Sequence, residues 1–117
     1  MHTSKTIKEQ QRAYAERLLS ALGKHLAKRD VTAVLIVTAD GRPALDVTDS
    51  RGRMRRVFVH LSFCWFYWGD RSDERVSFLQ MVGAVDRIEQ AARDGWHEGE
   101  QGELTIDLDR ILDAHRG

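Results

Sequence analysis

Apolar positions near the start of the chain recur with a helical period. Ile7, Tyr14, Leu18, Leu22 and Leu26 stand four or seven apart, and Ala15 and Leu19 widen the stripe. The pattern predicts one long amphipathic helix over about Ser4 to Lys28, with Ser4 as its N-cap. Lys24, His25, Lys28 and Arg29 place positive charge at the negative end of its dipole.

From Val31 the period shortens. Val31 to Thr38 (VTAVLIVT) is dense in β-branched residues and predicts a strand, and the unbroken apolar run Val34 to Val37 predicts that both its faces are covered. Asp40-Gly41 is a hairpin signal, after which Pro43 opens a second strand over Ala44 to Val47. Thr48 to Gly52 forms the next turn. The stretch from Arg53 to Trp68 then runs without a single Gly, Pro, Asn or Asp. At about 3.3 Å per residue it would make one strand roughly 50 Å long, beyond the range of a small domain. Two strands are therefore expected, about Arg55 to His60 and Phe63 to Trp68, with a bulge or tight turn at Leu61-Ser62; one long bent strand is the alternative. Gly69 to Asp73 ends the region.

A second helix is predicted over Ser77 to Arg93. Ser77 and Gln80 have capping-box spacing, Phe78, Val82, Val85, Ile88 and Ala92 line one face, and Gly95 is a natural stop. Trp96 to Gly102 is a polar, glycine-rich loop. Thr105 to His115 predicts a short final helix, with Leu104 to Leu108 equally readable as a short strand. The expected fold is α+β: an antiparallel β-meander of three to four strands packed against a long N-terminal helix and a C-terminal helix, with a short final helix. Residues 1–117 are expected to form one domain.

Composition narrows the functional classes. Eighteen basic residues balance eighteen acidic ones, which removes the electrostatic footprint usual for nucleic-acid and membrane-surface binders. The bias of the basic residues toward Arg is associated with GC-rich bacterial sources. Cys64 is the one cysteine, so no internal disulfide can form. The opening residues carry no apolar signal core, and the longest apolar run, Phe63 to Trp68, is too short for a bilayer. A cytoplasmic location is the expectation.

The aromatic run carries the functional expectation. Phe58, Phe63, Trp65, Phe66, Tyr67 and Trp68 cluster within one β region, and strand alternation sends Phe63, Trp65 and Tyr67 to one face and Cys64, Phe66 and Trp68 to the other. Either helices bury both faces, or one face is a contact surface for a second copy or another protein. The basic run Arg51, Arg53, Arg55 and Arg56 is an alternative surface for single-stranded nucleic acid. Pairing of these arginines with Asp46, Asp49 or helix carboxylates is the favoured reading, and nucleic acid is disfavoured. His60 and Cys64 are too far apart along a strand for a nucleophile pair and too few for zinc. Asp94, His97, Glu98 and Glu100 read as a solvated loop rather than a cation site. No phosphate loop, dinucleotide fingerprint or nucleophile elbow is present.

The expectation is thus a non-enzymatic protein-interaction module (an adaptor, inhibitor, chaperone or accessory to a regulator), homodimeric through its aromatic strand, without cofactor or metal. A heterologous protein partner is also admitted. The alternatives are a nucleic-acid accessory factor using Arg51 to Arg56, and a ligand-binding protein whose pocket is lined by Trp65, Tyr67, Trp68 and Trp96, with polar groups near His60 or His97.

Overall fold

The computed structural model describes residues 6–97. Helix α1 covers Ile7–Ala27, and strands β1 (Ala33–Val37), β2 (Pro43–Thr48), β3 (Met54–His60), β4 (Trp65–Tyr67) and β5 (Arg75–Ser77) precede helix α2 (Met81–Asp94). The strands form one antiparallel sheet in chain order, β1-β2-β3-β4-β5. The α+β class agrees with the sequence reading. The strand count does not, because β5 occupies a segment given no element in the sequence reading and ends on Ser77, the expected start of the second helix. The final helix, or the strand over Leu104 to Leu108, falls outside the described residues.

Local chemistry accounts for each boundary. Thr6 rather than Ser4 caps α1 by accepting from the Glu9 backbone N–H at 3.1 Å. Between β1 and β2 the turn closes with Gly41 N–H donating to Thr38 C=O at 2.9 Å, and Gly41 takes a φ of 86° that suits a residue without Cβ. Between β3 and β4 the expected break occurs: Cys64 N–H returns to Leu61 C=O at 3.1 Å, with Cys64 itself left-handed at φ 59°. Ser77 spends its hydroxyl on the Leu79 N–H from the end of β5, and Gln80 stands at the N-cap of α2 without a side-chain cap. The capping-box reading of Ser77 fails because Arg75 to Ser77 find strand partners in Tyr67 to Trp65.

Both helices pack on the same side of the sheet. Helix α1 lies over β1 and β2, α2 reaches β5, and the two helices touch each other. Leu19, Leu22 and Leu26 of α1 and Val85, Ile88 and Ala92 of α2 enclose Leu45, Val47, Val57, Phe66 and Trp68. Each such side chain contributes on the order of 1.5–3 kcal/mol when fully buried. Arg29 fastens the end of α1 to α2 through Asp86 (2.5 Å) and Glu89 (2.9 Å), which also holds Arg93 (2.7 Å).

A buried carboxylate anchors the C-terminal end of α2 to the sheet. Asp49, in the β2–β3 turn, accepts from the backbone N–H groups of Arg51 (2.9 Å), Arg53 (2.8 Å) and Trp96 (3.0 Å), and from Arg53 Nε (3.1 Å). Trp96 Nε1–H donates back to the Arg53 carbonyl at 3.0 Å, and Ser50 caps α2 carbonyls from its N–H to Ala92 and its hydroxyl to Arg93, each at 2.9 Å. Burial by itself raises the Asp49 pKa, but these backbone donors and the Arg53 guanidinium outweigh it and hold the carboxyl below its ordinary value.

A depressed pKa contributes stability that is complete above the unfolded value, about 3.9 for Asp, and is lost as pH falls through the lower folded value. Chemical denaturation should therefore show stability declining on acidification below about pH 4. Asp49→Asn should cost roughly 2–3 kcal/mol at neutral pH and flatten that decline; an unchanged acid slope would show that other carboxylates dominate.

Candidate functional site

Strand alternation divides the aromatic run between two environments. Phe66 and Trp68 face the helices and are fully buried. They belong to the core and offer nothing to a partner, which corrects their inclusion in the contact surface. Phe58, His60, Trp65 and Tyr67 share the opposite face, with Phe58 opposite Tyr67 and His60 opposite Trp65 in the β3–β4 register. Helices cover only the first face, so among the described residues no element lies over the second.

The open face has a graded structure. Its floor is Ala44, Phe58 and Tyr67, with Ile36 packed against them, and Phe58 and Tyr67 stack at 5.6 Å; at 2% and 8% exposure these two rings are themselves buried and offer a partner little direct surface, which corrects their place in the expected contact set as well. Above it project His60, Phe63 and Trp65. Phe63, from the β3–β4 turn, is 55% exposed; it stacks on His60 at 4.4 Å and meets Trp65 at 4.8 Å. Phe63 N–H donates to His60 Nδ1 at 3.3 Å, so the neutral ring pins the turn, and burial pushes the His60 pKa below its ordinary value. Two guanidinium groups lie over the rings, Arg42 over Phe58 at 4.7 Å and Arg75 over Trp65 at 4.2 Å. Arg42 also pairs with Asp40 at 2.9 Å. Arg42, Arg75 and His60 were not in the expected contact set; Arg75 escaped because β5 was not foreseen, while His60 follows from the period of β3.

The arginine run does not make one surface. Arg53 holds Asp49, Arg56 holds Asp46 across β2–β3 at 3.2 Å, and Arg55 is buried toward the helices against Glu74 at 2.8 Å. Only Arg56 of the four stands with the aromatic face, while Arg51 packs by Gly95. Pairing with Asp46 and Asp49 is what the sequence favoured.

The aromatic pocket expected from Trp65, Tyr67, Trp68 and Trp96 is likewise split between faces. Trp68 and Trp96 line a cavity of about 190 Å³ together with Asp73, Glu74, Arg87, Asp94 and His97, whereas Trp65 and Tyr67 lie on the other side of the sheet. The cavity is smaller than the roughly 300–1,000 Å³ of ordinary ligand sites. Its polar groups already serve one another: Arg87 donates to the Asp73 carbonyl at 2.5 Å, His97 approaches Asp73 at 3.5 Å, and Arg55 donates to the His97 carbonyl at 2.6 Å. Comparison with known protein families, characterised proteins and solved structures finds no match. The reading of this chain therefore rests on its own geometry.

Cys64 and His60 do not form a reactive pair. Cys64 packs toward the helix-side core and directs its thiol to the Leu61 carbonyl at 3.7 Å, while His60 lies on the open face. Among the described residues no three His, Cys, Asp or Glu side chains are grouped to hold a metal ion, and no helix is long and apolar enough to cross a membrane.

Two substitution tests separate core from surface. Trp68→Ala should cost roughly 3–5 kcal/mol, while Trp65→Ala should cost roughly 1 kcal/mol because its ring is only half-buried; equal losses in urea denaturation would contradict the division of faces. Gly69 sits where a Cβ would run into the Glu74 carboxylate. Gly69→Ala should therefore cost roughly 2–3 kcal/mol by prying Glu74 from Arg55, an effect absent from the open-face variant Trp65→Ala.

Proposed function

We propose that this protein is a non-enzymatic interaction module, homodimeric, that engages a protein partner through the open aromatic face of its sheet. The observation that carries the reading is the one-sided cover: two helices serve a single face, and Phe63, Trp65 and His60 project from the other. Aromatic anchors flanked by arginine are the residues that most often dominate protein interfaces. A projecting cluster of this kind is costly on a monomer unless something uses it. Phe58 and Tyr67 act as a rigid floor, which lowers the ordering cost of binding. Arg75, over the Trp65 ring, favours a partner that brings a carboxylate to the rim of an apolar patch.

The nucleic-acid reading has less support, because the arginines that would carry it are engaged with carboxylates on different sides of the fold and the net charge is zero. A cytoplasmic, bacterial setting belongs to the same proposal and rests on composition.

The test is paired affinity capture from the native host. Wild-type protein and a Val82→Asp control, altered at an exposed apolar residue of α2 on the helix side of the sheet, should retain the same partner. Phe63→Asp should lose it, with a purified partner binding at least about tenfold more weakly. Identical capture by all three baits would overturn the aromatic-face assignment.

A further inference from the structure

Strand β1 is the outer strand of the sheet, and it has none of the features that keep sheet edges apart. The sequence pattern called for cover on both its faces, yet Val34, Leu35 and Val37 are 54%, 43% and 60% exposed. Its five residues contain no charge, proline or glycine. Among the described residues β2 is its single neighbour.

The ladder tells which backbone groups are left over. Thr48 N–H donates to the Thr32 carbonyl at 3.0 Å and Thr38 N–H to the Arg42 carbonyl at 2.8 Å, in the register that pairs Ala33 with Val47 and Val37 with Pro43. Hydrogen bonding in an antiparallel pair alternates along the strand. Even-numbered residues of β1 therefore bond inward to β2, and Ala33, Leu35 and Val37 point their N–H and C=O groups outward.

From this we infer that β1 pairs with β1 of a second copy, antiparallel about a two-fold axis at Leu35. This inference rests on the homodimer in the proposal above and assigns it to this edge. In that register Leu35 faces Leu35 and Ala33 faces Val37, so every outward donor of one copy meets an outward acceptor of the other. A shift of one residue would bring inward-bonded groups to the seam and leave the outward ones unmatched. Val34 falls beside Ile36 of the other copy, which joins apolar residues on the open face.

A five-residue edge buries less than the roughly 800 Å² per partner usual for a stable dimer. Helix α1 supplies the remainder. With strands about 4.8 Å apart and α1 seated over β1 and β2, the two α1 axes stand on the order of 10 Å apart across the two-fold, the spacing of packed helices. Gly23 lies against Leu45 of β2 and Ala33 of β1, and Ser20 and Ala27, one helical turn either way, are equally small, so this side of α1 stays low enough for close approach. The product is a ten-stranded sheet with α1 helices paired on one side and two aromatic patches left open on the other.

Sedimentation equilibrium of the full chain should give twice the 13.4 kDa chain mass. Leu35→Lys, at an exposed site, should keep the far-UV circular dichroism and weaken dimerisation at least about tenfold by setting like charges opposite each other. In a Cys64→Ser background, Leu35→Cys should cross-link to itself on mild oxidation, because facing Cα atoms about 5.5 Å apart lie within disulfide range; Val34→Cys should not. A monomer at all concentrations, whether its edge is covered by residues 98–117 or awaits an unlike protein, would overturn the inference. So would a dimer that ignores Leu35→Lys and fails to cross-link at 35. Loss of partner capture by Phe63→Asp reads the aromatic face independently of either result.

Discussion

The architecture depends on how one buried carboxylate is satisfied. Asp49 has no solvent to hydrate it, so its oxygens must find donors within the fold, and the donors come from two places: its own turn and Trp96, two residues beyond α2. That requirement ties the C-terminal end of α2 to the β2–β3 turn, on the same side of the sheet as α1. Arg29 reinforces the arrangement by bridging the end of α1 to Asp86 and Glu89, with Arg93 donating to its carbonyl. With both helices committed to one layer, the second face of the sheet has no cover from the described chain.

Burial on the helix side then sets the rest. Phe66 and Trp68 enter the core because they fall in phase with Val57 and Val59, and Arg55, in the same phase, is drawn in with them. A guanidinium there requires a carboxylate, which Glu74 provides by lying directly against Gly69. The β4–β5 turn is shaped by that pair, and Trp68 N–H closing on the Glu74 carbonyl at 2.9 Å brings Arg75 into β5 and over Trp65. A demand for charge pairing on the buried side thus places a cation on the open side.

The face and the edge have complementary roles. His60 and Trp65 stand on strands interior to the sheet, with Phe63 in the turn between them, so recognition at this face, as proposed, would run through side chains. Strand β1 presents backbone groups in an ordered row and little side-chain identity, which suits pairing with its own sequence. In the proposed dimer, joining two copies at β1 would leave both clusters facing the same way and double the surface offered to a partner.

Much of this was readable in the chain. The period of Leu18, Leu22 and Leu26, the β-branched run of β1, the Asp40-Gly41 turn and the impossibility of one strand from Arg53 to Trp68 are local facts, set by steric preference and by the geometry of helix and strand. Alternation likewise separated Trp65 and Tyr67 from Phe66 and Trp68. Local pattern could not reveal β5, since Arg75 to Ser77 are strand only because Tyr67 to Trp65 hydrogen-bond to them. Nor could it show that β1 lies at the edge, or that Phe66 and Trp68 rather than Trp65 and Tyr67 meet the helices. Alternation says that two faces differ; which one is covered is decided by where distant segments are fastened, and here Asp49 with Trp96 and Arg29 with α2 make that choice.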